Sequence, residues 1–176
     1  VADDFQGLIQ ALKKLAPKIV MELSPKYASN SSDYRSKLRV ALHERFQEAR
    51  LLDLNIVPEL PSGFVSISHC RTLGGYALSK YPVGFDIEES SRVEWRFLER
   101  MWNPKDEKGP TAALHWCAKE AVFKGLGAQQ PAVISDIGIH AWKPQGAGYT
   151  FECRGDTGVA LEFAQWSVAL FGSVSN

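Results

Sequence analysis

The chain has 176 residues and is 45% hydrophobic, enough for one well-filled core and short of a comfortable two-domain count. Its twenty basic and twenty acidic residues cancel, so bulk charge recruits neither nucleic acid nor an anionic membrane, and an anionic ligand must meet a local cluster.

Phe5, Leu8, Ile9, Leu12 and Leu15 recur at helical spacing behind Asp3 and Asp4, and Pro17 marks the end of that run. The polar stretch 24–32, with Pro25 and Asn30, reads as a loop. A second helix is expected over 33–52, with Tyr34, Leu38, Leu42, Phe46 and Ala49 on one side and Arg35, Lys37, Arg39, Arg45 and Arg50 on the others. NIVPELPSG is a connector. Strands are expected at 64–69, 76–80 and 83–88, the first two joined by a turn through Gly74 and Gly75.

A further helix reads SRVEWRFLERMW, and Asn103-Pro104 suggests a cap followed by proline at a first helical position. The helix over 111–126 is the strongest in the chain, with Gly127 where a C-terminal cap belongs. Strand-like alternation follows at 133–139, 149–153, 158–163 and 165–171. Helix, strands, helices and strands again argue for an α+β fold with antiparallel sheets, built as two pseudo-symmetric halves, each a helix on a small sheet. The halves are expected near 1–88 and 89–176, together forming a single unit.

No apolar run approaches the roughly 20 residues of a membrane span. The opening VADDFQGLIQALKK lacks the basic flank and apolar stretch of a signal peptide. Cys70, Cys117 and Cys153 form no CxxC pair, so a disulfide scaffold or structural zinc site is not expected and a cytoplasmic location is.

The chemistry gathers at GFDIE, residues 84–88. Strand alternation puts Val83, Phe85 and Ile87 on one face and Gly84, Asp86 and Glu88 on the other. Two carboxylates beside a residue without a side chain suit a hard cation such as magnesium, with Gly84 as clearance for a ligand. An edge strand with a polar outer face would read the same way. On the strongest helix, Trp116, Glu120 and Lys124 fall within one arc, with Lys119 near its edge. A Glu-to-Lys surface pair beside a core tryptophan fits this spacing too. Taken with the acidic strand, a third carboxylate flanked by two lysines provides what a metal–pyrophosphate site requires.

GFDIE at 84–88 and WCAKEAVFK at 116–124 resemble the paired signature of the 4′-phosphopantetheinyl transferases, G-x-D-I-E and W-x-x-K-E-A-x-x-K. SISHC at 66–70 matches their upstream strand ending in S-H, and FLERMWNPKDE at 97–107 resembles their intervening acidic stretch. With its acidic strand in mid-chain, the protein is similar to the larger, pseudo-dimeric, surfactin-synthetase-activating type. It departs from that type in opening on a helix, and in carrying LNIVPELP where a G-K-P segment is usual.

The resemblance implies transfer of the phosphopantetheine arm of coenzyme A to a serine of an apo acyl or peptidyl carrier protein, releasing 3′,5′-ADP. It implies Mg²⁺ held by Asp86, Glu88 and Glu120, with Glu120 also a candidate acceptor of the serine proton. Lys124 and Lys119 would meet phosphate. Ser68, His69 and Arg35, with Arg39 as a rival arginine, would hold the nucleotide end. His69 as a structural histidine and the basic helix as a solvated face are the competing readings.

Arg92, Arg96 and Arg100 recur as a stripe that fits either a docking surface, with Phe97 and Met101, or an ordinary exposed face. The duplicated plan favours a monomer. The rival from another class is a coenzyme A- or carrier-binding module of the same fold without transfer. A different phosphotransferase would need an unrelated nucleotide site, because no Walker-type glycine loop occurs.

Overall fold

Eight strands and four α-helices build the chain in a computed structural model that describes residues 4–172. Asp3, expected at the head of the first helix, lies outside the described residues. Helix α1, Asp4–Leu15, buries Leu8, Leu12 and Leu15 and carries Lys13 and Lys14 in its last turn, where the helix dipole favours positive charge. Strand β1, Val20–Ser24, was not expected: its five residues are too few to show a period, but Met21 and Leu23 point into the core.

Helix α2 spans Tyr34–Phe46 and stops short of the expected 52, because Gln47 turns left-handed (φ 55°) and Ala49–Leu52 is a separate 3₁₀ turn. Strands β2, Phe64–His69, and β3, Gly74–Ser79, are joined through 70–73. The expected glycine turn is absent: Gly74 and Gly75 lie inside β3. A Cβ on Gly75 would fall 2.0 Å from the Glu22 carbonyl oxygen, so the glycines let β1 pair closely with β3.

The first sheet has the order β1-β3-β2. Strand β4, Val83–Glu89, leaves it and heads the second sheet, pairing antiparallel with the last strand from Val83↔Gly172 to Glu89↔Trp166. The expected helix after β4 is broken into a 3₁₀ turn at Ser90–Arg92, a one-turn helix α3 at Trp95–Leu98 and another 3₁₀ turn at Glu99–Met101. Arg92, Arg96 and Arg100 therefore form no continuous helical stripe. No helix starts at Asn103; its backbone N–H instead donates to Asp106 Oδ2 at 2.7 Å, because Asp106 is drawn into the interior.

Helix α4, Ala112–Gly125, is capped by Thr111, whose hydroxyl accepts from Leu114 N–H, and by left-handed Gly127 (φ 51°) just past its end, as expected. The remaining strands are β5 His140–Gln145, β6 Gly148–Cys153, β7 Asp156–Phe163 and β8 Trp166–Gly172, giving the order β4-β8-β7-β6-β5. The strand expected at 133–139 is a 3₁₀ turn and coil. Ile137 and Ile139 are apolar there because they pack under α4, not because they alternate across a pleat. Pro144 is tolerated in β5 because that strand is the sheet edge.

Three apolar clusters hold these layers. Leu38 and Leu42 of α2 pack on Tyr27, Tyr76 and Leu78; α4 packs on Phe151, Ala160, Ala169 and Phe171; and α1 covers the junction with Val83, Phe85, Ile87 and Leu170. The fold is thus α+β, with one helix on each antiparallel sheet. The faces of β4 divide as expected. Gly84, however, gives clearance to α4 and not to a ligand: a Cβ there would lie 1.7 Å from the Ala121 carbonyl oxygen. That close approach sets Asp86 against the last turns of α4.

Candidate functional site

The seam between the two sheets is held by side chains. β2 and β4 run alongside each other in the same direction, and the hydroxyls of Ser66 and Ser68 accept from Phe85 N–H (2.9 Å) and Ile87 N–H (3.4 Å). The Ser68 hydroxyl donates to Asp86 Oδ1 at 2.6 Å, and Lys124 Nζ reaches the same oxygen at 2.6 Å. The ammonium also donates to Ser68 Oγ at 3.2 Å and to the Phe85 carbonyl at 3.3 Å. One turn back on α4, Glu120 Oε2 lies 4.0 Å from it. Asp86 is 4% exposed, and its second oxygen, Oδ2, is buried with no hydrogen-bond partner.

The three carboxylates share one electrostatic neighbourhood. Burial and then the charge of Asp86 push Glu88 up to about 7, against the pull of Arg92 and Lys124. Burial also raises Glu120, which Lys124 partly offsets and Asp86 reinforces. Behind them Cys117 is fully buried, its thiol pushed up by burial and by Asp86 and Glu88, so it is not a nucleophile.

Glu88 therefore ties stability to pH. The folded chain keeps this proton between about 4.5 and 7, where the unfolded chain has lost it, so Glu88 subtracts stability as pH rises through that window. Glu88→Gln is expected to melt like the parent at pH 5 and at a higher temperature at pH 8. A lower melting temperature at pH 8 would contradict this.

The donor set suits a hard divalent cation: all candidate ligand atoms are carboxylate oxygens, one is an orphaned buried acceptor, and burial, reinforced by the charge of Asp86, raises Glu88 and Glu120. Among the described residues, however, no three acidic, imidazole or thiol groups converge as a ready-made cage. Lys124 takes up the charge on Asp86 Oδ1.

Beside this cluster a cleft of about 380 Å³ opens between α2, the 54–58 connector and the end of β2. His69 Nε2 is 2.9 Å from the Tyr34 hydroxyl, which accepts from Arg35 Nε at 3.1 Å, and the Tyr34 and His69 rings pack at 4.5 Å. With Arg35 donating, Tyr34 donates onward to His69. Burial, with the charges of Arg35 and Lys124, holds the imidazole below its ordinary value, so it is neutral and accepts at Nε2. Arg39, expected on the polar side of the helix, is instead buried in the cleft wall.

Lys119 is the one expected site residue that the fold turns away. Its side chain is fully buried on the far side of α4, 2.8 Å from Asp106 Oδ2 and 2.5 Å from the Ile137 carbonyl. Burial opposes ionisation of Asp106, but His115, the backbone N–H groups of Asn103 and Ile139, and Lys119 together bring its carboxyl down to about 2. Lys119 is thus a buried structural cation and does not reach the Asp86 cluster.

Two contributors were not anticipated. Tyr34 reads as an apolar helix residue until its hydroxyl is seen at the strand end. Ser66 carries a period-two signal with Ser68, two serines on one strand face, which could have marked the seam.

The site and fold define a class: an α+β chain of two helix-on-sheet halves with a carboxylate–lysine cluster at their junction and a cationic cleft beside it. Residues 82–171 match the family model of the 4′-phosphopantetheinyl transferase superfamily. The chain belongs to that superfamily. Curated proteins gave no match.

Proposed function

We propose that this protein transfers the phosphopantetheine arm of coenzyme A to a serine hydroxyl of an apo acyl or peptidyl carrier protein. The observation that carries this reading is the junction cluster of Ser68, Asp86, Glu120 and Lys124, with the cationic cleft beside it past His69, in a chain of this family. Asp86, Glu88 and Glu120 would hold Mg²⁺, which when bound neutralises pyrophosphate charge and polarises the attacked phosphorus.

The chain's own residues do the rest. Glu120, whose carboxylate is made more basic by burial, accepts the proton of the carrier serine as its oxygen bonds to the β-phosphorus. The bond from that phosphorus to the bridging oxygen breaks, and 3′,5′-ADP leaves. Lys124 meets the departing phosphate as a point donor, moving off Asp86 Oδ1 as it does so. The Arg35–Tyr34–His69 chain orients donors toward the nucleotide end.

Phe97 is exposed and packs edge-on against Trp116 at 5.2 Å, one helical turn before Glu120. With Arg96 and Arg100 close by in sequence, it forms the surface we assign to the acidic carrier. Reversing both arginines to Glu is expected to raise the carrier KM with kcat little changed; an unchanged KM would remove this surface from the reading. Both halves lie in one chain, so the working form is a monomer. Among the described residues no helix is long and apolar enough to cross a membrane.

The test is to incubate the protein with apo-carrier, coenzyme A and Mg²⁺ and weigh the intact carrier. A phosphopantetheine adduct that disappears on chelation supports the proposal. Coenzyme A binding with no adduct on any of several carriers would make it a binding module, a reading that the Lys124–Asp86 pair would then explain as a self-neutralised site.

A further inference from the structure

Two strands that run alongside each other in one direction ordinarily join in a parallel ladder, N–H to carbonyl, about 4.7–4.9 Å apart. β2 and β4 do not: they belong to different sheets. Where a ladder would present β2 carbonyls, the side chains of Ser66 and Ser68 accept from Phe85 N–H and Ile87 N–H. A side chain set between two backbones holds them farther apart than a ladder does. The slot this leaves is where Lys124 Nζ sits, on Ser68 Oγ, the Phe85 carbonyl and Asp86 Oδ1. In a ladder, a strand N–H would take that carbonyl.

The two serines are not equivalent. Ser68 touches the cluster itself, through Asp86 and Lys124. Among the described residues Ser66 has no hydrogen bond to Asp86, Glu120 or Lys124; its hydroxyl accepts from Phe85 N–H at 2.9 Å. Ser66 is buried, where a strand ordinarily carries an apolar side chain, and a buried hydroxyl is costly unless it is bonded. Its backbone is registered against Ala77 of β3, so this one hydroxyl ties β4 to the first sheet. Phe85 is thereby held at both ends of its backbone, the N–H by Ser66 and the carbonyl by Lys124, and the next residue is Asp86.

We propose that Ser66 is a positioning residue for the transfer reaction: its hydroxyl sets the width of the seam, and with it the place where Lys124 is held against Asp86. This deepens the transferase reading and rests on it. Without the hydroxyl, β4 shifts toward β2 to find another acceptor for Phe85 N–H, or water enters the seam. Either change moves the Phe85 carbonyl and the ammonium it holds. Misplacing a reacting group by about 1 Å costs about 10²-fold in rate.

The experiment compares Ser66→Val with Ser66→Thr, side chains of one shape that differ in the hydroxyl. Turnover is read by carrier mass, coenzyme A affinity by calorimetry, and the seam by hydrogen exchange at Phe85 N–H. Ser66→Val is expected to lose about 10- to 100-fold in kcat, with coenzyme A Kd and carrier KM changed by less than about threefold. Its Phe85 N–H should exchange about tenfold faster or more. Ser66→Thr should keep most of kcat and the slow exchange.

Parental kcat in Ser66→Val overturns the proposal even if the melting temperature falls, because the serine would then be structural only. Equal losses in both variants also overturn it, since space and not the hydroxyl would matter at 66. So does a loss that falls on the coenzyme A Kd instead of kcat. Ser66→Ala takes the place of Ser66→Val should the latter not fold. In each of these cases a parent that modifies the carrier keeps the transferase reading intact. A parent that binds coenzyme A and transfers nothing to any carrier removes both.

Discussion

Asp86→Ala is expected to lower phosphopantetheine transfer by about a thousandfold or more while changing the coenzyme A Kd by less than about tenfold. Asp86 anchors the junction cluster: Oδ1 takes Ser68 and Lys124, and Oδ2 is an enclosed acceptor with nothing to accept from. Removing a fixed charge aimed at a reacting centre costs a factor of about 10² to 10³ where such groups have been deleted, and Asp86 would also be a ligand for the cation. On the proposed reading the nucleotide end would be held elsewhere, in the cleft lined by Arg35, Arg39 and His69.

The variant should fold, since Lys124 is partly exposed and has Glu120 at 4.0 Å as an alternative partner. The two quantities are read separately, turnover by carrier mass and affinity by calorimetry. Equal losses in both would sink the assignment of Asp86 to the metal and return it to coenzyme binding.

The second large effect lies away from the chemistry. Asp106→Ala is expected to cost about 3–5 kcal/mol of unfolding free energy at pH 7, as breaking a buried ion pair from one side does. It would strand the Lys119 ammonium with only the Ile137 carbonyl, and would free the Asn103 and Ile139 N–H groups that now donate to the carboxylate.

The pH dependence follows from the same contacts. With the Asp106 carboxyl at about 2 in the folded state and an ordinary 3.8, its contribution is present above about 3.8 and lost as pH falls through about 2. Urea unfolding of Asp106→Ala beside Asp106→Leu/Lys119→Met separates the contributions, because removing both charges should restore much of the loss. A single variant with parental stability would show that Lys119 is free to serve elsewhere.

Much of the candidate site is legible as local pattern. The acidic face of the strand and the helical arc of Glu120 and Lys124 follow from local periods of two and 3.6 residues, and neighbours along one element cannot escape those periods; the S-H strand end came from the family resemblance. The same periods failed where a segment's apolar residues answer to three-dimensional packing. Ile137 and Ile139 imitate a strand from coil, and the residues from 91 to 102 imitate a helix that the chain breaks into three turns. Strand β1 was too short to announce itself.

Local pattern alone places two carboxylates on one strand face and a carboxylate and lysine on one helix face, in a chain whose charges cancel as a whole. Tertiary structure alone decided how these charges pair. It took Lys119 out of the site and into the core with Asp106, buried Arg39 with a nitrogen to spare, and turned Gly84 from room for a ligand into room for a helix. Pairing of charges depends on distances between elements far apart in the chain. Those distances are set by packing, here by the approach of α4 to β4 across a glycine, which no local period records.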